Sequence, residues 1–148
     1  MSNAPAPAAN LALVAGRLGA KAELRSIELR SVQFNVVSSH TLTYPIPLML
    51  NLNLNVNGST VEQGIVYEVL ATIEGKLPPD LPLFSAKILY VAGFGALPET
   101  PSEDELHAFG TVSVAPMVYP YVREVLAGLT GRAGLPAVTL PPYRVSLQ

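Results

Sequence analysis

The chain of 148 residues contains no cysteine. Disulfide frameworks, thiolate metal sites and cysteine nucleophiles are therefore excluded together, and a reducing compartment is the natural setting. Charge is scarce too: 14% of residues are Asp, Glu, Lys or Arg and the net charge is −2, where an average domain carries about 25%. The nine Lys and Arg stand singly between Arg17 and Arg144, so no basic stripe is present of the kind that phosphate backbones attract, and nucleic acid is not an expected partner. No apolar run approaches the roughly 18 residues that a membrane span needs. Leu11 to Ala15 is too short for a signal-peptide core and lacks a basic start. A soluble, cytoplasmic protein without membrane insertion is expected.

The inventory for chemistry is equally thin. Only His40 and His107 could act as imidazoles, and the Asp residues are Asp80 and Asp104. Converging acid, base and nucleophile are lacking and two isolated histidines do not fill a metal site, so neither an enzyme nor a cofactor or metal is expected. Gly93-Phe94-Gly95-Ala96 lacks the Lys-Ser/Thr that a phosphate loop requires and reads as a bend.

Apolar side chains are plentiful. They form 49% of the chain, and with so thin a polar coat some of the surface is expected to be covered by other subunits or by clients. The length suits one ordinary core. Met1 to Asn10 is an Ala/Pro-rich lead, and Leu11 to Leu18 is expected to form a short helix with Asn10 as N-cap, weakened by Gly16 and Gly19. From about Lys21 to Val37 apolar residues alternate, but their parity shifts between Leu29 and Val32, which a β-bulge near Arg30 and Ser31 would explain. Ser38 to Pro47 reads as a loop, with Pro45 and Pro47 breaking any ladder.

Leu48 to Asn57 alternates without a fault, with Leu48, Leu50, Leu52, Leu54 and Val56 on one face and Asn51, Asn53, Asn55 and Asn57 on the other, as a half-buried antiparallel strand does. The Asn row reads as a solvated face. Asn57-Gly58 suits a primed turn or short loop. A third strand, about Val61 to Leu77, turns Ile65, Tyr67, Val69, Ala71 and Ile73 one way and Glu62, Glu68 and Glu74 the other. After Pro78, Pro79 and Pro82 a fourth strand spans Leu83 to Phe94. Ser102 and Glu105 make a capping box for a short helix to about Phe109. Tyr119 to Gly131 forms another, striped by Tyr119, Val122, Val125, Leu126 and Leu129, with Pro120 in its first turn and Gly131 or Gly134 closing it. Leu135 to Gln148 should be extended. Four strands followed by helices give an α+β fold.

Tyr119-Pro120-Tyr121-Val122-Arg123-Glu124 resembles the aromatic-Pro-Tyr-Ala-Arg-Glu signature of the bacterial protein-export chaperone SecB, and Leu135-Pro136-Ala137-Val138-Thr139-Leu140-Pro141-Pro142 is similar to that family's closing segment. Ile27 to Phe34 and Val66-Tyr67-Glu68-Val69 resemble two of its strands, in the same order. The resemblance covers about Leu24 to Tyr143. It implies a four-stranded antiparallel sheet with helices packed on one face, with 21–148 the chaperone domain, while the Ala/Pro-rich composition makes 1–20 a flexible segment able to hold a short helix.

The resemblance also implies an ATP-independent holdase, a homotetramer built as a dimer of dimers, whose apolar grooves hold unfolded client polypeptides. Candidate polypeptide-binding residues are Val37, Leu42, Tyr44, Ile46, Leu48, Tyr121, Leu126, Leu135, Val138 and Leu140. Those in or beside the loop are the stronger choice, since a loop has little call for branched and aromatic side chains unless they line something. The helix stripe reads first as core. Members of the family engage the export ATPase SecA through acidic residues, but here Ser31, Asn35 and Lys87 stand where acids are usual and no acidic tail follows Tyr143. Weak or absent SecA coupling is expected. The alternative is an adaptor or structural subunit of the same fold serving one partner, such as a toxin–antitoxin component.

Overall fold

Alternation in the four apolar segments is what builds the molecule, because each segment can bury one face only by sharing a sheet. The computed structural model describes residues 8–37, 47–62 and 64–143. Its elements are α1 (Ala8–Gly19), β1 (Glu23–Val36), β2 (Met49–Val61), β3 (Gly64–Leu77), β4 (Leu81–Gly95), α2 (Glu103–Phe109), a π-helical segment (Gly110–Val114) and α3 (Ala115–Arg132). The strands form one antiparallel sheet in the order β1-β4-β3-β2. This is the expected α+β fold.

The central strands carry the core. Ile65, Tyr67, Val69, Ala71 and Ile73 of β3 are buried, as are Phe84, Ala86, Ile88, Tyr90, Ala92 and Phe94 of β4. Phe109, Val114, Val118, Tyr119, Val122 and Leu126 meet them from the helices. The opposite face carries the Asn row of β2, which is exposed throughout.

Asn57-Gly58 makes no turn. β2 continues through it, with Asn57 opposite Glu68, Gly58 opposite Tyr67 and the hairpin closing at Val61 and Gly64. Glycine is required there by a neighbour: a Cβ on residue 58 would come within 2.6 Å of Tyr67 Cε1. The bulge between Leu29 and Ser31 is present, and a second lies between Leu24 and Ser26.

The helical third also differs from expectation. Ser102 and Glu105 form the capping box, but the helix does not stop at Phe109. It widens through Gly110–Val114, where the Ala115 amide donates to the Gly110 carbonyl, and runs on as α3. Pro116 occupies the first turn of α3 while Pro120 lies inside it. A glycine and β-branched residues disfavour helix over this stretch, and burial of Val114, Ala115 and Val118 overrides them. The exposed side accommodates Pro120. α3 ends in a Schellman motif: the Leu135 amide donates to the Thr130 carbonyl and the Gly134 amide to that of Gly131, with Gly134 at φ +80° as that cap demands.

Candidate functional site

The two bulges decide where the apolar side chains of β1 point. Each adds one residue and so resets the alternation, which keeps Leu24, Ile27, Leu29, Val32, Phe34 and Val36 opposite Phe94, Ala92, Tyr90, Ile88, Ala86 and Phe84 on the helix side of the sheet. The helices leave most of this row open, with Ile27 and Phe34 alone packed half-buried against the core. α3 rests on β3 and β4, and β1 is left as an uncovered ledge in which Leu24 and Leu29 are each 46% exposed, Val36 44% and Val32 37%. Its 14 residues span about 45 Å at roughly 3.3 Å per residue. β1 is also an edge strand, so a row of backbone amides and carbonyls runs beside the apolar row.

Tyr121 forms the wall. It projects from α3 with 44% of its surface exposed, its ring 5.9 Å from that of Tyr90, the residue opposite Leu29. Burial, then the Glu124 carboxylate and Tyr121, raise the Tyr90 phenol above its ordinary pKa. At the far end the Val37 amide donates to the Leu83 carbonyl at 2.9 Å. Val37 itself is 59% exposed and borders a shallow hollow lined by Gly75, Pro82 and Phe84. Such a surface can take an extended apolar chain by side-chain burial and by strand addition. It has no chemistry of its own.

Of the residues singled out from sequence, Val37 and Tyr121 border this ledge. Leu48 is half-buried against the core beyond the opposite edge of the sheet. Leu126, Val138 and Leu140 come together, but inside the core at 0%, 7% and 1% exposure, and Leu135 packs half-buried against it. Thr130 Oγ1 accepts the Val138 amide and the Tyr119 hydroxyl donates to the Pro141 carbonyl, so this closing segment is held along α3. That assigns Leu126, Val138 and Leu140 to the packing of the subunit. Leu42, Tyr44 and Ile46 lie outside the described residues. The ledge residues Leu24, Leu29, Val32 and Val36 carry no sequence signal of their own, because an alternating strand reads as core-facing until the reach of the helices is known.

Comparison with known proteins places this geometry. The family described as preprotein translocase subunit SecB matches residues 21–145. The protein-export protein SecB of Afipia carboxidovorans is 33% identical over 86 residues, which is 57% of this chain and 52% of that protein, so the match spans about half the relative's length. Among solved structures, the SecB-like chaperone Rv1957 of Mycobacterium tuberculosis, in complex with a ChAD peptide from the Rv1956 HigA1 antitoxin, superposes with a TM-score of 0.79 at 26% identity, over 89% of this chain and 97% of that one. SecB proteins are non-enzymatic chaperones, in keeping with the thin catalytic inventory read from the sequence. With the family model matching residues 21–145, this chain belongs to the SecB family.

Proposed function

We propose that the protein is an ATP-independent holdase of the cytoplasm that binds unfolded polypeptides through apolar segments. The observation that carries this reading is the β1 ledge: an apolar row beside a backbone edge that has no ladder partner among the described residues, which a folded monomer has reason to keep only if something else covers it. Two kinds of chain suit it, a second copy and a client. A homotetramer built as a dimer of dimers, about 63 kDa from four chains of 15.7 kDa, would cover part of each ledge and join the rest into longer grooves. Clients would then be held by the remaining ledge, Val37 and Tyr121, together with Leu42, Tyr44, Ile46 and Leu48. Burial at roughly 25 cal/mol per Å² makes such binding broad in specificity.

Aggregation assays test this. Substoichiometric protection of several unrelated unfolded proteins without ATP is expected. Replacing Leu29, Val32 and Val36 together by Ser should reduce protection or assembly about tenfold, while the far-UV circular dichroism stays the same. Unchanged protection and assembly in that variant would remove the ledge from the function.

A second reading, a chaperone dedicated to one partner, draws on the antitoxin-peptide complex of the mycobacterial relative. It predicts protection of a single partner and none of the unrelated clients.

A further inference from the structure

The family match begins at residue 21, and α1 (Ala8–Gly19) precedes it. This helix packs on α2 and on the π-helical segment, burying Ala15 and Leu18. Its last residue lies against Phe109: a Cβ on Gly19 would stand 3.5 Å from Phe109 Cε2. Phe109 is edge-on to Phe94 at 5.1 Å and lies 5.9 Å from Tyr67. Beneath α1 is therefore a cluster of three aromatic rings, whose outermost member would be laid open if the helix lifted.

The attachment is lightly built. Among the described residues no side chain of α1 makes a hydrogen bond or ion pair with the rest of the protein. Its first turn carries no acidic residue to favour the helix dipole. Leu13 points outward, 64% exposed, and Gly16 lowers the helix propensity in open space. At 12 residues the helix is near the lower limit for forming alone in water. Backbone bonds from Ala20 to Gly16 and from Lys21 and Ala22 to Leu18 tie its end closely to β1, so a lifted helix stays near its seat and redocks as an intramolecular event.

We propose that α1 is a displaceable cap: Leu18 and Gly19 fill an apolar seat over Phe109 that, when open, receives a bulky apolar side chain of a bound client. The cap rests on the holdase reading above and adds regulation to it, because client and helix then compete for one aromatic floor. Helix stability sets the balance, and two substitutions move it in opposite directions. Gly16→Ala adds a methyl into open space and strengthens the helix, which lowers apparent client affinity about fivefold. Leu18→Ser weakens docking and raises affinity.

The test uses the full-length chain, with reduced and alkylated α-lactalbumin as a permanently unfolded probe and brief trypsin cleavage after Arg17 as a separate reading of the cap. Cleavage should fall in Gly16→Ala, rise in Leu18→Ser, and rise when the probe binds the wild type. If the probe binds wild type and both variants equally while cleavage at Arg17 still responds to the substitutions, α1 is a structural helix and the cap is refuted with the holdase intact. No binding of the probe by the wild type or either variant refutes both readings together. Far-UV circular dichroism confirms folding, and Gly16→Ala carries the decision if Leu18→Ser does not fold.

Discussion

Thr130 Oγ1 accepts the Val138 amide at 2.9 Å and donates to the Leu126 carbonyl at 2.9 Å, so one fully buried hydroxyl joins the last turns of α3 to the extended segment behind it. Thr130→Val keeps the shape and removes the acceptor. The Val138 amide is then buried without a partner, which typically costs about 1–3 kcal/mol. Urea unfolding should show a loss of that size, with Thr130→Ser losing markedly less. A larger loss in Thr130→Ser than in Thr130→Val would mean that the methyl group, not the hydroxyl, is what matters.

Gly58 and Tyr67 face each other across the β2–β3 pair, and the absence of a side chain at 58 is what admits the ring. Gly58→Ala should destabilise the protein by about 1–3 kcal/mol, although alanine suits a strand better than glycine does. Combining it with Tyr67→Leu should recover much of that loss. Additive effects in the double-mutant cycle would show that the two positions are not coupled.

Much of this architecture was legible in the sequence because it rests on local periodicity. The faces of β2, β3 and β4, the bulge after Leu29 and the Ser102–Glu105 capping box are all written in neighbouring residues. What was not legible depends on distant partners. Gly58 looks like a turn residue until Tyr67 is placed opposite it. Gly110 to Pro116 looks like a helix break until the core beneath Val114 and Val118 is known. The ledge is a third case: Leu29 and Val32 have the pattern of core residues, and only the distance at which α3 passes leaves them open.

Burial raises the Tyr67 phenol well above its ordinary value, and Tyr90, Tyr119 and Tyr143 are raised as well, chiefly by burial. A group whose pKa is raised in the folded state stabilises the fold fully below its unfolded pKa, about 10 for tyrosine, and that contribution is lost as pH climbs beyond it. Stability should therefore fall steadily above about pH 10. Tyr67→Phe should flatten this decline in urea melts taken from pH 9 to 11.5, while lowering stability at pH 8 by about 1 kcal/mol through loss of the hydroxyl's bond to the Leu106 carbonyl. Parallel pH profiles for the two proteins would exclude Tyr67 as the titrating group.

Coupling to the export ATPase SecA should be weak, and the outer face of the sheet supplies the reason. Ser31 stands opposite Leu89, Gln33 opposite Lys87 and Asn35 opposite Ser85, with Leu70, Thr72 and Glu74 continuing these rows on β3. The centre of that face is thus apolar or basic where the family resemblance calls for acids. Glu68 and Glu74 remain exposed, but Glu28 is paired with Arg30 at 2.5 Å and is partly neutralised. Surface charge contacts are worth about 0.2–1 kcal/mol each and act mainly on encounter with an oppositely charged partner. Three such contacts sum to about 0.6–3 kcal/mol, so two acids replaced and a third reversed should lower affinity roughly 3- to 150-fold. Calorimetric titration against SecA from the same host should give no submicromolar binding, and the combination Ser31→Asp, Asn35→Asp and Lys87→Glu should strengthen binding in a salt-sensitive way. Tight, salt-sensitive binding by the unmodified chain would show that the outer face does not govern the contact.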